Sequence, residues 1–375
     1  MINDKIKKYF PGTNSPFGFC SCYDHIINET ANRIYLLKGG PGVGKSSFMK
    51  YLGDKLEHYG VELEYHFCSS DNASLDGLKI PSLEVAVIDG TAPHLRDPVF
   101  PGVVDEIINL GDFWDQSKLV NHKKDIINLS REIKDYFGIA YQHLGEAYRV
   151  YEGVKRIYQG KTPPGDYFSF INTMEKYYLE TGRKNLSNGG NYRSMFIAAI
   201  TPDGFTHHMD SVWPRTKKTC VLKGSDLGIT AQFLIDTIAS RALERGYYVE
   251  KYHSPFDPVK TDAIILPEIN LGLINEACPF YKHISPLKES VIFEVDLEIP
   301  LKNEEYRYLE GASGRIFSSI ERAVDCLKSA RNRHKKLEDY YVEAMDFEAL
   351  EEKREQTLKK IEELMWISEY SLQNR

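Results

Sequence analysis

The chain has 375 residues, 42% hydrophobic and 27% charged, which is enough for a sizeable core and more than one domain usually holds. Its net charge of −7 argues against non-specific binding to nucleic acid or to an anionic membrane, since both favour a basic surface. No apolar run reaches membrane-spanning length, and Met1-Ile-Asn-Asp-Lys-Ile-Lys-Lys lacks the apolar core of a signal peptide, so the expected setting is the cytoplasm with reduced thiols.

In chain order, the first expected element is a hairpin turning at Pro16–Gly18. Cys20 and Cys22 beside it could join His66 and Cys68 at a metal. Cys-x-Cys with His-x-Cys is not a usual zinc spacing, however, and inert thiols are the preferred reading. An apolar strand follows at Arg33–Lys38, and the next residues are Gly39-Gly40-Pro41-Gly42-Val43-Gly44-Lys45-Ser46-Ser47. Gly39–Ser46 fits G-x-x-x-x-G-K-[ST]. Glycines let backbone amides approach phosphate oxygens closely, and the loop opens onto a helix N-terminus that favours an anion. Lys45 is expected to reach the β- and γ-phosphates of ATP, and the Ser46 hydroxyl to ligate Mg²⁺. A glycine-rich turn can match the pattern by chance, but here a strand precedes it and a helix, Ser46–Tyr59, follows.

Further strands are expected at Val61–Phe67 and Leu83–Ile88. The latter ends in Asp89, in the manner of a Walker B aspartate that holds Mg²⁺, although a strand-end aspartate can also serve only as a turn former. Gly90 follows, not the glutamate that many ATPases use to activate water, so fast hydrolysis is not implied. Two loop clusters should surround the γ-phosphate, and they offer Asp71 (with Asp76) and His94 (with Thr91) as further catalytic candidates. Beyond them Ile126, Leu129, Ile133, Phe137, Ala140, Leu144, Ala147, Tyr151, Val154 and Tyr158 step by three or four along one long helix.

The chain then repeats itself. Ser15-Pro-Phe-Gly-Phe19 recurs as Thr201-Pro-Asp-Gly-Phe205, Leu36-Leu-Lys-Gly39 as Val221-Leu-Lys-Gly224, and His66 and Pro93 as His253 and Pro279, in nearly constant register. The expected fold is α/β: two tandem P-loop NTPase-like domains, 1–190 and 191–375, each a parallel sheet flanked by helices with a long helical extension. The boundary falls in Asn185–Asn191, and the second extension is expected to be one charge-rich helix at Leu337–Met365. The second loop is degenerate. Aligned residue for residue, Thr230 replaces the lysine, Ala231 the serine and Asn275 the strand-end acid, while Asp226 adds a negative charge. It should bind no triphosphate, leaving packing, a share of a substrate pocket, or a donated Arg215, Arg241 or Arg245 as its contribution.

Leu37–Ser47, His66–Gly77, Ile88–His94 with Asp97-Pro and Pro101-Gly, and Val104–Trp114 together resemble a bacterial two-copy P-loop family whose members carry generic labels such as ATPase or nucleotide kinase. The resemblance spans essentially the whole chain and implies a cytoplasmic ATP-binding protein. In that family the second copy often keeps a lysine-bearing loop, from which this chain departs. The expected function is therefore an ATP- and Mg²⁺-binding protein with one site, catalysing slow hydrolysis or phosphoryl transfer to an unknown small molecule. A nucleotide-gated scaffold for a protein partner is the alternative. No N-K-x-D guanine signature stands out, which favours ATP, and the basic run Arg331–Lys336 is the only feature that suits nucleic acid.

Overall fold

The computed structural model describes residues 5–92, 96–159, 161, 165–179, 190–213, 216–224, 226–276 and 291–373. Pro93, His94, Arg215, Ala277, Pro279 and most of the expected boundary at 185–191 lie outside the described residues.

Two α/β domains follow one another with the same order of strands. The first half runs β1 (Ile6–Tyr9), β2 (Gly12–Ser15), β3 (Gly18–Ser21), β4 (Arg33–Lys38), α1 (Lys45–Glu57), β5 (Leu63–Phe67), β6 (Leu75–Ile80), β7 (Val85–Asp89), β8 (Asp105–Asn109), α2 (Gln116–Asn121), α3 (Lys123–Tyr158) and α4 (Gly165–Met174). The second runs β9 (Tyr192–Met195), β10 (Ala198–Thr201), β11 (Gly204–His207), α5 (Met209–Val212), β12 (Lys218–Lys223), α6 (Ile229–Glu244), β13 (Val249–His253), β14 (Thr261–Leu266), β15 (Leu271–Asn275), β16 (Val291–Asp296), α7 (Asn303–Val342) and α8 (Phe347–Gln373). Among the described residues no helix is long and apolar enough to cross a membrane.

Each half builds a six-stranded sheet, β1-β5-β6-β7-β4-β8 and β9-β13-β14-β15-β12-β16. The expected parallel sheets are in fact mixed. β6 runs antiparallel to both β5 and β7, and β14 antiparallel to both β13 and β15. The reason is connection length. Cys68–Ser74 joins β5 to β6, and Pro81–Glu84 joins β6 to β7; neither has room for the crossover helix that a parallel neighbour needs. Glu84 and its counterpart Asn270 complete these tight turns in the left-handed region, at φ 49° and 51°.

Alternate residues of the central strands face opposite layers, as a period of two dictates. On β4 and β7, Ile34, Leu36, Ala86 and Ile88 face inward to a core shared by both halves. Tyr35, Leu37, Val85 and Val87 face outward to α1, through Phe48, Met49, Leu52 and Leu56. The outer layer is completed from the other half: Leu350, Leu358 and Ile361 of α8 join the core over the first sheet. Reciprocally, Met174 of α4 and Leu179 just beyond it join α6 over the second sheet. The halves thus exchange their last helices. Between them α3 and α7 pack antiparallel, with Arg333 reaching Glu132 and Tyr136 at one end and Lys161 meeting Glu305 at the other. Their seam is lined by Ala140, Leu144, Ala147, Tyr151 and Val154 against Ala312, Ile316, Ile320, Ala323 and Leu327. The single helix expected over Leu337–Met365 is broken at Glu343–Asp346. Asp346 N donates to Phe113 O at 2.7 Å and Asp115 N to Ala344 O at 2.8 Å, which pin the turn to the first half.

The inner faces meet through contacts between matching segments of the two halves. Phe10 and Phe196 exchange backbone hydrogen bonds of 2.8 and 3.2 Å, and Asn14 Nδ2 donates to Ile200 O at 2.8 Å. Arg193 of β9 grips Glu64 of β5 with two hydrogen bonds, 2.9 and 2.7 Å, and its guanidinium lies 5.1 Å from the centre of the Tyr9 ring. Burial alone would raise the Glu64 carboxyl, but Arg193 and His66 hold it well below the usual range. Arg193→Ala leaves that carboxylate buried without its main cation, and we expect it to lose about 3–5 kcal/mol in urea unfolding. Glu64→Gln added to Arg193→Ala should recover much of the loss.

Candidate functional site

The glycine loop leaves the C-terminal end of β4 and turns into α1. Gly42 (φ 70°) and Gly44 (φ 91°) both occupy backbone territory that favours glycine, and Gly44 caps the helix with no side-chain hydrogen bond. Val43 is fully buried, which anchors the loop from beneath, while Gly39, Gly40, Pro41, Gly42, Lys45 and Ser46 are half-buried and Ser47 is exposed. Among the described residues no protein acceptor receives the amides of Gly42, Gly44, Lys45 or Ser46. Lys45 Nζ donates to Gly39 O at 3.1 Å and Gly40 O at 2.7 Å, so the ammonium lies across the loop itself.

Parallel pairing puts Asp89 of β7 beside Leu37 of β4, next to the loop. Its Oδ2 lies 3.8 Å from Lys45 Nζ, while Oδ1 accepts from the amide and hydroxyl of Thr91 at 2.9 and 2.5 Å. Ser46 Oγ accepts from Leu75 N at 2.9 Å, tying α1 to the start of β6. Lys45, Asp89 and Thr91 therefore lie together, and Ser46 adjoins Lys45 at the start of α1. Asp71 sits in the turn before β6, accepting from Ser74 Oγ at 2.7 Å, and no contact joins it to the loop. His66 is fully buried beside Glu64, stacked on Tyr9, where burial lowers it to about 4. Among the described residues no group of three His, Cys, Asp or Glu side chains could hold a metal.

Asp76 stands close to this group. It lies buried on β6 behind Lys45 and Asp89, and accepts from Tyr23 OH at 2.6 Å. Burial, with the neighbouring Asp89 charge, raises it to about 7. It is kept in both copies, but the two copies treat it differently. In the second half Asp262 accepts from Gln232 Nε2 at 2.8 Å and from Asn275 Nδ2 at 3.2 Å, so a neutral amide stands where the first half has a second carboxylate.

The second loop is also one residue shorter: six residues separate β4 from α1, but five separate β12 from α6. Gly228 caps α6 as Gly44 caps α1, so Ile229 stands at the lysine position and Thr230 at the serine position, one place removed from a residue-for-residue alignment. Asp226 fills the space inside. Its carboxylate, 2% exposed, accepts from Gly228 N at 3.1 Å and Thr230 N at 2.6 Å, and Asn275 Nδ2 donates to Gly228 O. The anion-seeking amides of this helix start are thus satisfied by the chain's own acid.

The first loop is backed by the end of α7 and the start of α8. A Cβ added at Gly40 would lie 2.6 Å from Tyr341 Cε1, one at Gly42 2.7 Å from Glu338 O, and one at Gly44 3.0 Å from Leu350 Cδ2. Gly42 is therefore required twice, once for conformation and once for this close approach to backbone.

A family model described as Nephrocystin 3, N-terminal matches residues 18–80, which run from β3 through the glycine loop to the end of β6. No curated protein and no solved structure matches the chain.

Two outcomes follow from the buried acids. Asp76 is raised from 3.8 to about 7, so its contribution to stability is complete below about pH 4 and is lost as pH rises through 7. Asp76→Asn should therefore raise Tm relative to wild type at about pH 8, with the advantage shrinking as pH falls to about 5 in a pH series of thermal melts. Asp226→Ala should destabilise the protein by about 1–3 kcal/mol, because it strands two buried amides.

Proposed function

We propose that this chain binds ATP with Mg²⁺ at one site, the glycine loop at Gly39–Ser46, and uses it for slow hydrolysis or phosphoryl transfer to an unidentified small-molecule acceptor. The observation that carries the reading is the contrast between the two loops. The first presents unpartnered amides and a lysine at the start of α1, whereas the second is shortened and plugged by Asp226. In this reading the loop amides and Lys45 hold the phosphates. The Ser46 hydroxyl and the Asp89 carboxylate are hard oxygen donors of the kind Mg²⁺ takes, with phosphate oxygens and water completing its shell. Asp89 keeps Oδ2 apart from its Thr91 contacts, which favours that role. Bound Mg²⁺ would neutralise charge developing on the phosphoryl oxygens. The chain's own residues fix the rest: Leu75 orients the Ser46 hydroxyl, Thr91 orients Asp89, and Lys38 ties Gly90 to Arg96 just beyond. Gly90 after Asp89 offers no acid to activate water, which supports transfer or slow turnover. The match over residues 18–80 includes this loop, and the motifs cited from Leu37 to Trp114 favour membership of the bacterial two-copy P-loop family, working in the cytoplasm.

A second reading rests on a separate contact. Because the end of α7 and the start of α8 lie directly against the loop, phosphates entering it would press on the arm, and the protein would then be a nucleotide-gated scaffold. Calorimetric titration of MgATP decides first between binding and no binding. Wild type should show one site per chain, and Lys45→Ala should weaken it roughly 10- to 150-fold, as expected for one charge-assisted contact. Two sites, or binding indifferent to Lys45, would overturn the assignment. Phosphate release that stays negligible while nucleotide shifts partner capture would favour the scaffold.

A further inference from the structure

The described cleft next to the glycine loop has one wall from each half of the chain. Asp112, Phe113 and Trp114 come from the segment after β8, and Met345, Asp346 and Phe347 from the α7–α8 turn. Backbone hydrogen bonds between Asp346 and Phe113 and between Asp115 and Ala344 hold the walls together, and Lys118 Nζ donates to Glu343 O at 3.0 Å. One lining residue reaches the loop: a Cβ on Gly44 would sit 3.9 Å from the Phe347 ring. Phe347 is 43% exposed, although its neighbour Leu350 is buried in the core.

We propose that this cleft receives the base of the nucleotide, so that the second half of the chain supplies one wall of the first half's site. The inference rests on the phosphate-binding reading of the loop and adds to it what lies at the other end of the ligand. Three observations support it. The cleft, ≈ 630 Å³, falls in the range of small-ligand sites. Its aromatic side chains, Trp114, Phe113 and Phe347, offer π-faces for a planar base. Its polar groups are mainly acceptors: Asp112 takes one hydrogen bond from Asn109 and Asp346 one from Ala349, which leaves both carboxylates with lone pairs for the exocyclic amine of a base. The shared chemistry is a purine, and adenine and guanine are told apart by titration.

The test compares MgATP, MgGTP and Mg-tripolyphosphate, which carries the phosphates without base or sugar, on wild type, Phe347→Ala and Lys45→Ala. Wild type should bind a nucleotide more tightly than tripolyphosphate. Phe347→Ala should weaken the preferred nucleotide about ten-fold while leaving tripolyphosphate unchanged, and Lys45→Ala should weaken both. Retained tripolyphosphate binding in Phe347→Ala also certifies that the loop is folded. Equal loss of both ligands in Phe347→Ala would mean that the turn only buttresses the loop, and no change in either would mean that the base lies elsewhere. Both results overturn the base site and leave the phosphate site standing. If wild type binds none of the three, both readings fall.

Discussion

Neither sheet can be covered by its own half of the chain. A central strand such as β4 is apolar on both faces, because Ile34 and Leu36 point one way and Tyr35 and Leu37 the other, and each face needs a dry layer. One helix, α1 or α6, covers only part of the outer face of its sheet. The rest comes from the helix at the end of the opposite half, α8 for the first sheet and α4 for the second. The inner faces are closed by each other. The long antiparallel pair α3 and α7 follows from this demand, since each arm must carry the chain from one sheet to the far side of the other.

Within that near-symmetric frame the two strand-helix loops diverge. The first keeps a lysine and leaves its amides without protein acceptors, and it stands beside two carboxylates, Asp76 and Asp89, held in a buried setting. The second loses one residue, turns Leu227 into the left-handed region at φ 57°, and folds Asp226 back onto the amides. Where the first half places like charges together, the second substitutes Asn275 and obtains hydrogen bonds instead. Buried like charges are unfavourable unless something is gained from them. The second half thus pairs its buried acid with neutral amides, while the first leaves Asp76 near Asp89, with Lys45 3.8 Å from the latter.

Much of this was legible in local sequence. The strand Arg33–Lys38, the glycine loop and Asp89 depend on contiguous residues, and the repeat fixed the number of domains. β6 was missed because Asp76, Gly77 and Lys79 interrupt its apolar pattern, and without it the sheet was expected to be parallel. The shortened second loop was hidden because a one-residue deletion leaves both flanks looking aligned. Periodicity identified α3 and the region of α8 as helices with an apolar face, but a periodic stripe does not say which sheet will cover it. The exchange, and the Tyr341–Gly40 contact that comes with it, therefore appear only in three dimensions.

The helix exchange also sets an order of events during synthesis. A ribosome delivers β4, α1 and the glycine loop early, yet the outer face of that sheet stays partly bare until Leu350–Ile361 have emerged, some three hundred residues later. Meanwhile α4 has nothing to pack on until α6 exists. Folding is thus dominated by contacts between distant parts of the chain, which favours slow, all-at-once closure over domain-by-domain assembly. The first half is translated long before it can be finished, and its glycine loop acquires the Tyr341 and Glu338 backing only some three hundred residues later.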